Sequence, residues 1–510
     1  MSAETPSKLA ETGGPVLQTE NDSNVGGLNK KLKNEPEPSS GSELEEVESG
    51  TVDKKALLRK LDWRLLPAVG ILYLLSFLDR SNVGNARIEG LADDLHMTGN
   101  QYLTGLTLYF IGYVLFEIPC NIILKRTTPR FWLPTLTIAW GVVATLMGIV
   151  QNLTGFFIAR FFLGVTESGL FPGVVYYFSM WYQRRERQFR ISLFFGFAAL
   201  AGSFGGILAY GIGKMAGVVW ENGWRWIFIL EGIATVVVAI TAYWFIHNYP
   251  ETAGFLSDKE RSFILQRLAA DSDATRDERF TWGNVNKALL DPKCWLYGFS
   301  FHAMSLPLYT FSLFLPTIIK DLGYEAASAQ LLTIPPYALA FITTLAVATV
   351  SERTGQRALP LIGSSLFAII GYIILLTNSD PTNRPGVSYL GTFFAAGGIY
   401  PATALALSWP AINVSGQTKR AVANAMQISI GNLGAVLGTQ LYRANDGPRY
   451  FVGHSFALGY LVGEIVVSSA LYFLLKRENE RRAAISPEVK EVGELEDWSG
   501  DDDPRWRFQH

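Results

Sequence analysis

The chain has 510 residues, 49% of them apolar and 13% aromatic, with a net charge of −2 and a mean hydropathy of +0.19. That is too apolar for a soluble protein of this length, whereas a net charge near zero says little about partners, and nucleic acid is not expected among them. The two cysteines, Cys120 and Cys294, lie in or beside apolar segments without the spacing of a metal site or a disulfide framework, so neither metal nor cofactor is expected.

The charges are placed unevenly. Residues 1–50 hold ten acids and four bases, and residues 483–510 hold eight acids and three bases. Both stretches carry too few large apolar side chains to offset the entropy of ordering, and residues 1–60 and 477–510 are expected to be disordered cytoplasmic tails. The first 50 residues contain no apolar signal-peptide core, so the first spanning helix is expected to direct insertion.

Lys54, Lys55, Arg59, Lys60 and Arg64 form a basic collar before helix 1, predicted at about 65–84. Further spans are predicted at roughly 102–124, 132–151, 154–179, 190–213 and 225–246. After a polar segment, 247–293, six more follow at roughly 294–319, 328–350, 358–377, 388–412, 421–443 and 455–475. The pattern predicts an all-α membrane protein of twelve transmembrane helices, divided into six-helix bundles at 61–246 and 294–476. Basic residues stay inside, and the inner loops carry the larger share of Lys and Arg, among them Arg130, Arg184, Arg185 and Lys419. Both termini and the central loop are therefore expected on the cytoplasmic side. Within that loop, Ser257-Asp-Lys-Glu260 reads as a helix start, followed by an amphipathic surface helix.

The halves echo one another. Lys125-Arg126-Thr-Thr-Pro-Arg130 after helix 2 matches Glu352-Arg353-Thr-Gly-Gln-Arg357 after helix 8, which makes Arg126, Glu352 and Arg353 candidate gating residues. Repeated six-helix halves are a transporter architecture, with the solute site near midplane where they meet. Helix 5 carries Ala198, Gly202 and Gly206, and helix 11 carries Gly431, Gly434 and Gly438; small residues let backbones approach closely, either for packing or for sliding during gating.

Four charges stand out. Asp79 and Arg80 lie side by side about 20 Å into a hydrocarbon layer about 30 Å thick. A single Asp or Arg at the centre of a spanning helix costs roughly 2.5–3.5 kcal/mol, so both are expected to face an interior or a water-filled path, unless they lie near the headgroups and snorkel. In helix 4, Arg160 and Glu167 are two turns apart and share a face. The expectation is that all four meet in one cavity; a purely structural ion-pair network is the alternative. Glu117 and Glu231 read as partners of loop bases. His302 fits either a proton relay or a packed imidazole. Tyr309, Tyr400, Trp409 and Asn413, in or beside helices 7 and 10, are candidates to line a binding cavity or to pack.

These residues resemble the major facilitator superfamily and, within it, the fungal allantoate permease branch of the anion:cation symporter family, over about residues 60–480. The resemblance rests on Phe77-Leu-Asp-Arg-Ser-Asn-Val-Gly-Asn-Ala86, on Phe116-Glu-Ile-Pro119, on Arg160 through Gly173, on Gly223-Trp-Arg-Trp226, and on Ser408-Trp-Pro-Ala-Ile-Asn-Val-Ser-Gly-Gln-Thr-Lys-Arg420. The loop motif after helix 2 departs from the family pattern, with Asn121 in place of Gly and Lys125 in place of Asp; the second copy keeps Glu352, Arg353 and Gly355.

The resemblance implies proton-coupled uptake of a small organic carboxylate, such as a ureide or the vitamins nicotinate or pantothenate; the carrier is expected to be a monomer in the plasma membrane. It further implies that Arg80 and Arg160 bind the anion while Asp79 and Glu167 carry protons. An exporter of an acidic secondary metabolite would use the same fold and nearly the same charges. A nutrient sensor would need signalling tails, and the tails here hold no recognisable domain. No metalloprotease, serine-hydrolase or phosphate-loop pattern is present, so an enzyme is not expected.

Overall fold

In a hydrocarbon layer every backbone N–H and C=O needs a partner within the protein, and an apolar helix supplies it internally. The computed structural model describes residues 52–215, 217–218, 223–269, 282–487 and 500–510, and its described residues form helices and short connections with no strand. Among the described residues, twelve helices are long and apolar enough to cross a membrane. Helices 1–6 span Lys54–Ile88, Gly99–Arg126, Pro129–Met147, Leu153–Ser179, Arg184–Gly213 and Trp224–Phe245; helices 7–12 span Pro292–Asp321, Ala326–Thr354, Ala358–Thr377, Pro385–Asn413, Gln417–Gly438 and Phe451–Ala483. Their outward faces carry large apolar side chains such as Leu115, Phe131, Val466 and Phe473, the surface a bilayer requires.

Several ends differ from expectation. Helix 1 starts at Lys54, so its basic collar is helical. Helix 12 runs on to Ala483, through the first residues of the predicted tail. Residues 500–510 are not a solvated tail: Trp506 and Phe508 are buried and packed against the helix ends. Residues 1–51 and 488–499 of the predicted tails, and 270–281 of the central loop, lie outside the described residues.

The central loop does contain a surface helix, Asp258–Ala269. Its start is reciprocal: Glu260 N donates to Ser257 Oγ at 3.3 Å, and Ser257 N donates to Glu260 Oε2 at 2.8 Å. Lys60 binds Glu260 and Arg267 binds Glu186, tying this helix to helices 1 and 5. A second surface helix, Trp282–Leu290, leads into helix 7.

Helix pairing repeats with a shift of six. Pairs 1·5, 2·4, 3·6 and 1·6 recur as 7·11, 8·10, 9·12 and 7·12, and the two sets meet through 1·7, 2·11, 5·8 and 5·10. Hydrogen bonds join the sets at both ends. At the end bearing Lys54, here the basic end, Gln188 donates to Ser351 at 3.0 Å and Arg184 donates to the Ile412 carbonyl. At the distal end, Thr107 meets Thr439 at 2.7 Å, and Gln330 donates to Glu89 at 2.9 Å. The glycines of helices 5 and 11 serve different contacts. Gly202 and Gly206 admit Tyr337 and the Gln330 carbonyl of helix 8, across the halves. Gly431 and Gly434 admit Phe301 and the His302 carbonyl of helix 7, within one half.

Candidate functional site

The centre is built on one face of helix 1. Ser76 and Arg80 are four residues apart and therefore point the same way. Arg80 reaches Glu167 through Nη2 at 2.6 Å and Nε at 3.2 Å, and its Nη1 donates to the Tyr309 hydroxyl of helix 7 at 2.8 Å. Glu167 also accepts from Ser76, and from the Tyr109 hydroxyl of helix 2 at 2.7 Å. Helix 4 breaks directly after this carboxylate, between Glu167 and Leu170. Pro172 explains the break: it has no N–H for the Ser168 carbonyl, and its ring crowds that oxygen.

Aromatic rings enclose the guanidinium of Arg80, with Tyr109, Tyr113, Tyr309 and Phe77 centred 5.3–5.8 Å from its carbon. Cations are attracted to such faces at this range. Arg160 lies 5.2 Å from the same Tyr109 ring, so the two guanidinium groups share it. Tyr400 sits one ring further out, 6.2 Å from Phe77 and 5.9 Å from Tyr337. Arg80, Arg160, Glu167 and Tyr309 are thus brought together, with Tyr400 one ring away from them.

Arg160 is 0% exposed, and none of its three guanidinium nitrogens has a hydrogen-bond partner among the described residues. Buried polar groups are nearly always paired, and an unpaired buried charge is among the most expensive arrangements a fold can hold.

Asp79 is elsewhere. Successive helical residues point about 100° apart, so Asp79 cannot share the face of Arg80. Its Oδ2 accepts from Trp140 Nε1 of helix 3 at 3.2 Å and from Thr235 Oγ1 of helix 6 at 2.9 Å. Glu231 of helix 6 accepts from Asn82 on the same side of helix 1, and Glu117 from Ser429 of helix 11 at 3.4 Å; neither acid is paired with a loop base as expected. The single four-charge cavity is therefore replaced by two buried polar groups on different faces of helix 1.

Trp409 and Asn413 also lie away from the centre, at the basic end of helix 10. Trp409 Nε1 and Asn413 Nδ2 donate to the Gln509 carbonyl at 2.9 and 2.7 Å, and Asn413 Oδ1 accepts from Gln509 N at 2.8 Å. The segment 500–510 occupies the groups that were expected to line a cavity. Arg126, Glu352 and Arg353 are exposed, and Glu352 lies within electrostatic range of Arg190 and Asp62 of the first half. His302 is held by the Ile430 carbonyl and Tyr460, the packed alternative. A crevice of about 650 Å³ lies between helices 2, 4 and 11, lined by Ile118, Asn121, Tyr176, Ser429 and Trp282 among others; Arg80, Arg160 and Glu167 do not line it.

Sequence reasoning missed Ser76, Tyr109, Tyr113, Trp140 and Thr235. The four-residue steps Ser76–Arg80 and Tyr109–Tyr113 were readable as shared faces; Trp140 and Thr235 carried no local signal, since only the packing of helices 3 and 6 on helix 1 brings them to Asp79.

Residues 69–439 match the family model described as Major Facilitator Superfamily. The chain belongs to the major facilitator superfamily. Among superfamily members it is 36% identical over 482 residues to the MFS-type transporter cnsO of Penicillium expansum, covering 91% of this chain and 92% of that one. It is 32% identical over 461 residues to the high-affinity nicotinic acid transporter of Saccharomyces cerevisiae, covering 90% and 85%. In fold it is similar to the crystal structure of a bacterial homolog of the human lysosomal transporter Spinster, with a TM-score of 0.59 at 16% identity, covering 80% of this chain and 95% of that one. This superfamily member is a multi-pass membrane transporter and not an enzyme.

Proposed function

We propose that this transporter takes up a small monocarboxylate together with protons. The observation that carries the reading is Arg160, a fully buried guanidinium with no hydrogen-bond partner among the described residues, beside a second arginine already neutralised by Glu167. With Glu167 ionised, Arg80, Arg160 and Glu167 sum to one positive charge, which a monoanion neutralises. Guanidinium presents a planar fork that matches carboxylate bidentately, whereas ammonium is a point charge. Tyr309 and Tyr400 of the second half face the same place, so one anion can engage both halves. The relative named for nicotinic acid carries a substrate of this chemical class.

Asp79 and Glu167 are the proposed proton carriers, Glu167 through its direct contact with Arg80. An anion arriving at the arginines competes with Glu167 for positive charge and favours its protonation; by linkage, proton and substrate then promote each other's binding. The basic end, which gathers Lys54, Lys60, Arg184, Lys419 and Arg482, is proposed as the cytoplasmic face of a plasma-membrane carrier.

The test is uptake of labelled nicotinate and related monocarboxylates by cells expressing the chain, at two external pH values, with wild type and Arg160→Lys at matched surface expression. Wild type should accumulate label faster at the lower pH, and Arg160→Lys should raise the KM about tenfold or more, the equivalent of about 1.4 kcal/mol. A KM unchanged in Arg160→Lys would place the anion elsewhere.

A further inference from the structure

The segment 500–510 reads Gly-Asp-Asp-Asp-Pro-Arg-Trp-Arg-Phe-Gln-His, acidic first and aromatic later. It meets its surroundings in that order. Asp501 binds Lys419 of helix 11 at 2.7 Å, and Asp502 binds Lys287 of the second surface helix at 3.4 Å. Arg482 of helix 12 donates to the carbonyls of Asp501 and Asp503 at 3.0 and 2.9 Å.

Beyond Pro504 the groove recognises main chain. Asn479 of helix 12 donates to the Phe508 carbonyl and accepts from its N–H, both at 2.8 Å. Asn413 makes the same double contact with Gln509, as given above. Arg357 donates through its backbone N–H to the His510 carbonyl at 3.0 Å and through Nη2 to Gln509 Oε1 at 2.7 Å. Two side-chain amides, each reading one donor and one acceptor of successive residues, constitute a peptide site.

Almost all of these partners belong to helices 7–12 and their connections. The exception is Arg184, at the start of helix 5 in the other half. Its guanidinium carbon lies 3.6 Å from the centre of the Trp506 ring, its Nη2 donates to the Arg507 carbonyl at 3.1 Å, and its Nε donates to the Ile412 carbonyl at the end of helix 10. The segment therefore fastens the half that holds it to the half that does not.

We propose that the basic end of helices 7–12 is a peptide-binding groove whose ligand is residues 500–510, and that the bound segment latches the two halves together at that end through Trp506 and Arg184. Opening toward the basic end requires the latch to release Arg184. The proposal rests on the transporter reading, in which the halves move apart, but not on the identity of the substrate.

The test uses the full chain in lipid nanodiscs without any substrate, so its outcome is independent of which anion is carried. Spin labels are placed at Lys259→Cys, on the exposed face of the surface helix bound to helices 1–6, and at Gln356→Cys, exposed after helix 8. Both native cysteines are buried. The distance distribution is compared among wild type, Trp506→Ala and a deletion of 500–510. Wild type should show one dominant short distance, and both variants should shift the major fraction to a longer one. A synthetic peptide of residues 500–510 added to the deletion variant should restore the short distance, and a scrambled peptide should not. An unchanged distribution in Trp506→Ala, which keeps the main-chain contacts and so tests the latch even where the deletion fails to fold, overturns the proposal. Equal rescue by the scrambled peptide does so as well.

Discussion

Arg80 and Arg160 face the same tyrosine ring but carry different obligations. Each guanidinium nitrogen of Arg80 is engaged by Glu167 or Tyr309, while none of those of Arg160 has a hydrogen-bond partner among the described residues, so in the proposed cycle an anion meets Arg160 first and Arg80 becomes available as Glu167 takes up a proton. Glu167→Gln tests this step. The amide keeps an oxygen for Ser76 and Arg80, and the Tyr109 hydroxyl can accept as well as donate, so the geometry survives while the counter-charge is lost. Glu167→Gln should still bind and exchange substrate but should not accumulate it, and its uptake should lose its dependence on external pH. Asp79→Asn is the matched control: both donors go to one oxygen of Asp79, so asparagine can hold them. It should fold with normal stability and leave the KM set by Arg160 unchanged, while flattening the pH profile. Proton flux recorded beside labelled uptake separates the cases, and an unchanged proton ratio in either variant would make that carboxyl a structural clasp. The types of these residues and their burial were legible in the sequence. Their division between two faces of helix 1 follows from helix geometry alone, since neighbours in sequence diverge by about 100°, but the partners of Asp79 come from helices whose placement no local pattern encodes.

At the scale of elements, the close approaches of helices sort into two mechanical kinds. A Cβ on Gly164 would lie 1.9 Å from the Tyr109 carbonyl, where helices 4 and 2 pack within one half. A Cβ on Gly84 would lie 2.4 Å from the Leu313 carbonyl, where helix 1 meets helix 7 across the halves. Overpacking of this type typically costs about 1–3 kcal/mol. Gly164→Ala should therefore lower the Tm and the yield of folded protein. Gly84→Ala should fold normally, because the halves can part to relieve the clash, but should fail to close at the distal end. Reaction of a Thr107→Cys reporter with a membrane-impermeant thiol reagent measures that closure; a reporter no faster in Gly84→Ala than in its parent would mean that helix 7 yields instead. The glycines of helices 5 and 11 were legible as small-residue faces, yet their spacing could not tell which half each face meets. Only the tertiary pairing assigns helix 5 to the seam and helix 11 to its own bundle.

Across the whole molecule, the twelve helices and their six-fold shift were readable because length, hydropathy and basic loops constrain a membrane chain strongly. The docked segment 500–510 was not. It is short, polar and acidic, and its order depends on a groove assembled from helices 5, 10, 11 and 12 and on two asparagines, none of which signals peptide binding from sequence. The polar centre has a different global consequence. Empty, with Glu167 ionised, it keeps one positive charge, and loaded with a monoanion and a proton on Glu167 it keeps one as well. A charge inside a membrane field experiences about 2.3 kcal/mol per 100 mV across the full potential, so voltage should act on this centre alike in the return of the empty carrier and in the loaded step. Rapid voltage jumps on expressing cells should evoke transient currents in the absence of substrate. Those currents should persist when both faces are saturated and the carrier only exchanges, and they should be lost in Arg160→Gln. Transients lost at saturating substrate would show that the anion binds without Glu167 taking up a proton. An unpartnered side chain in a static arrangement thus becomes an electrical signature of the transport cycle.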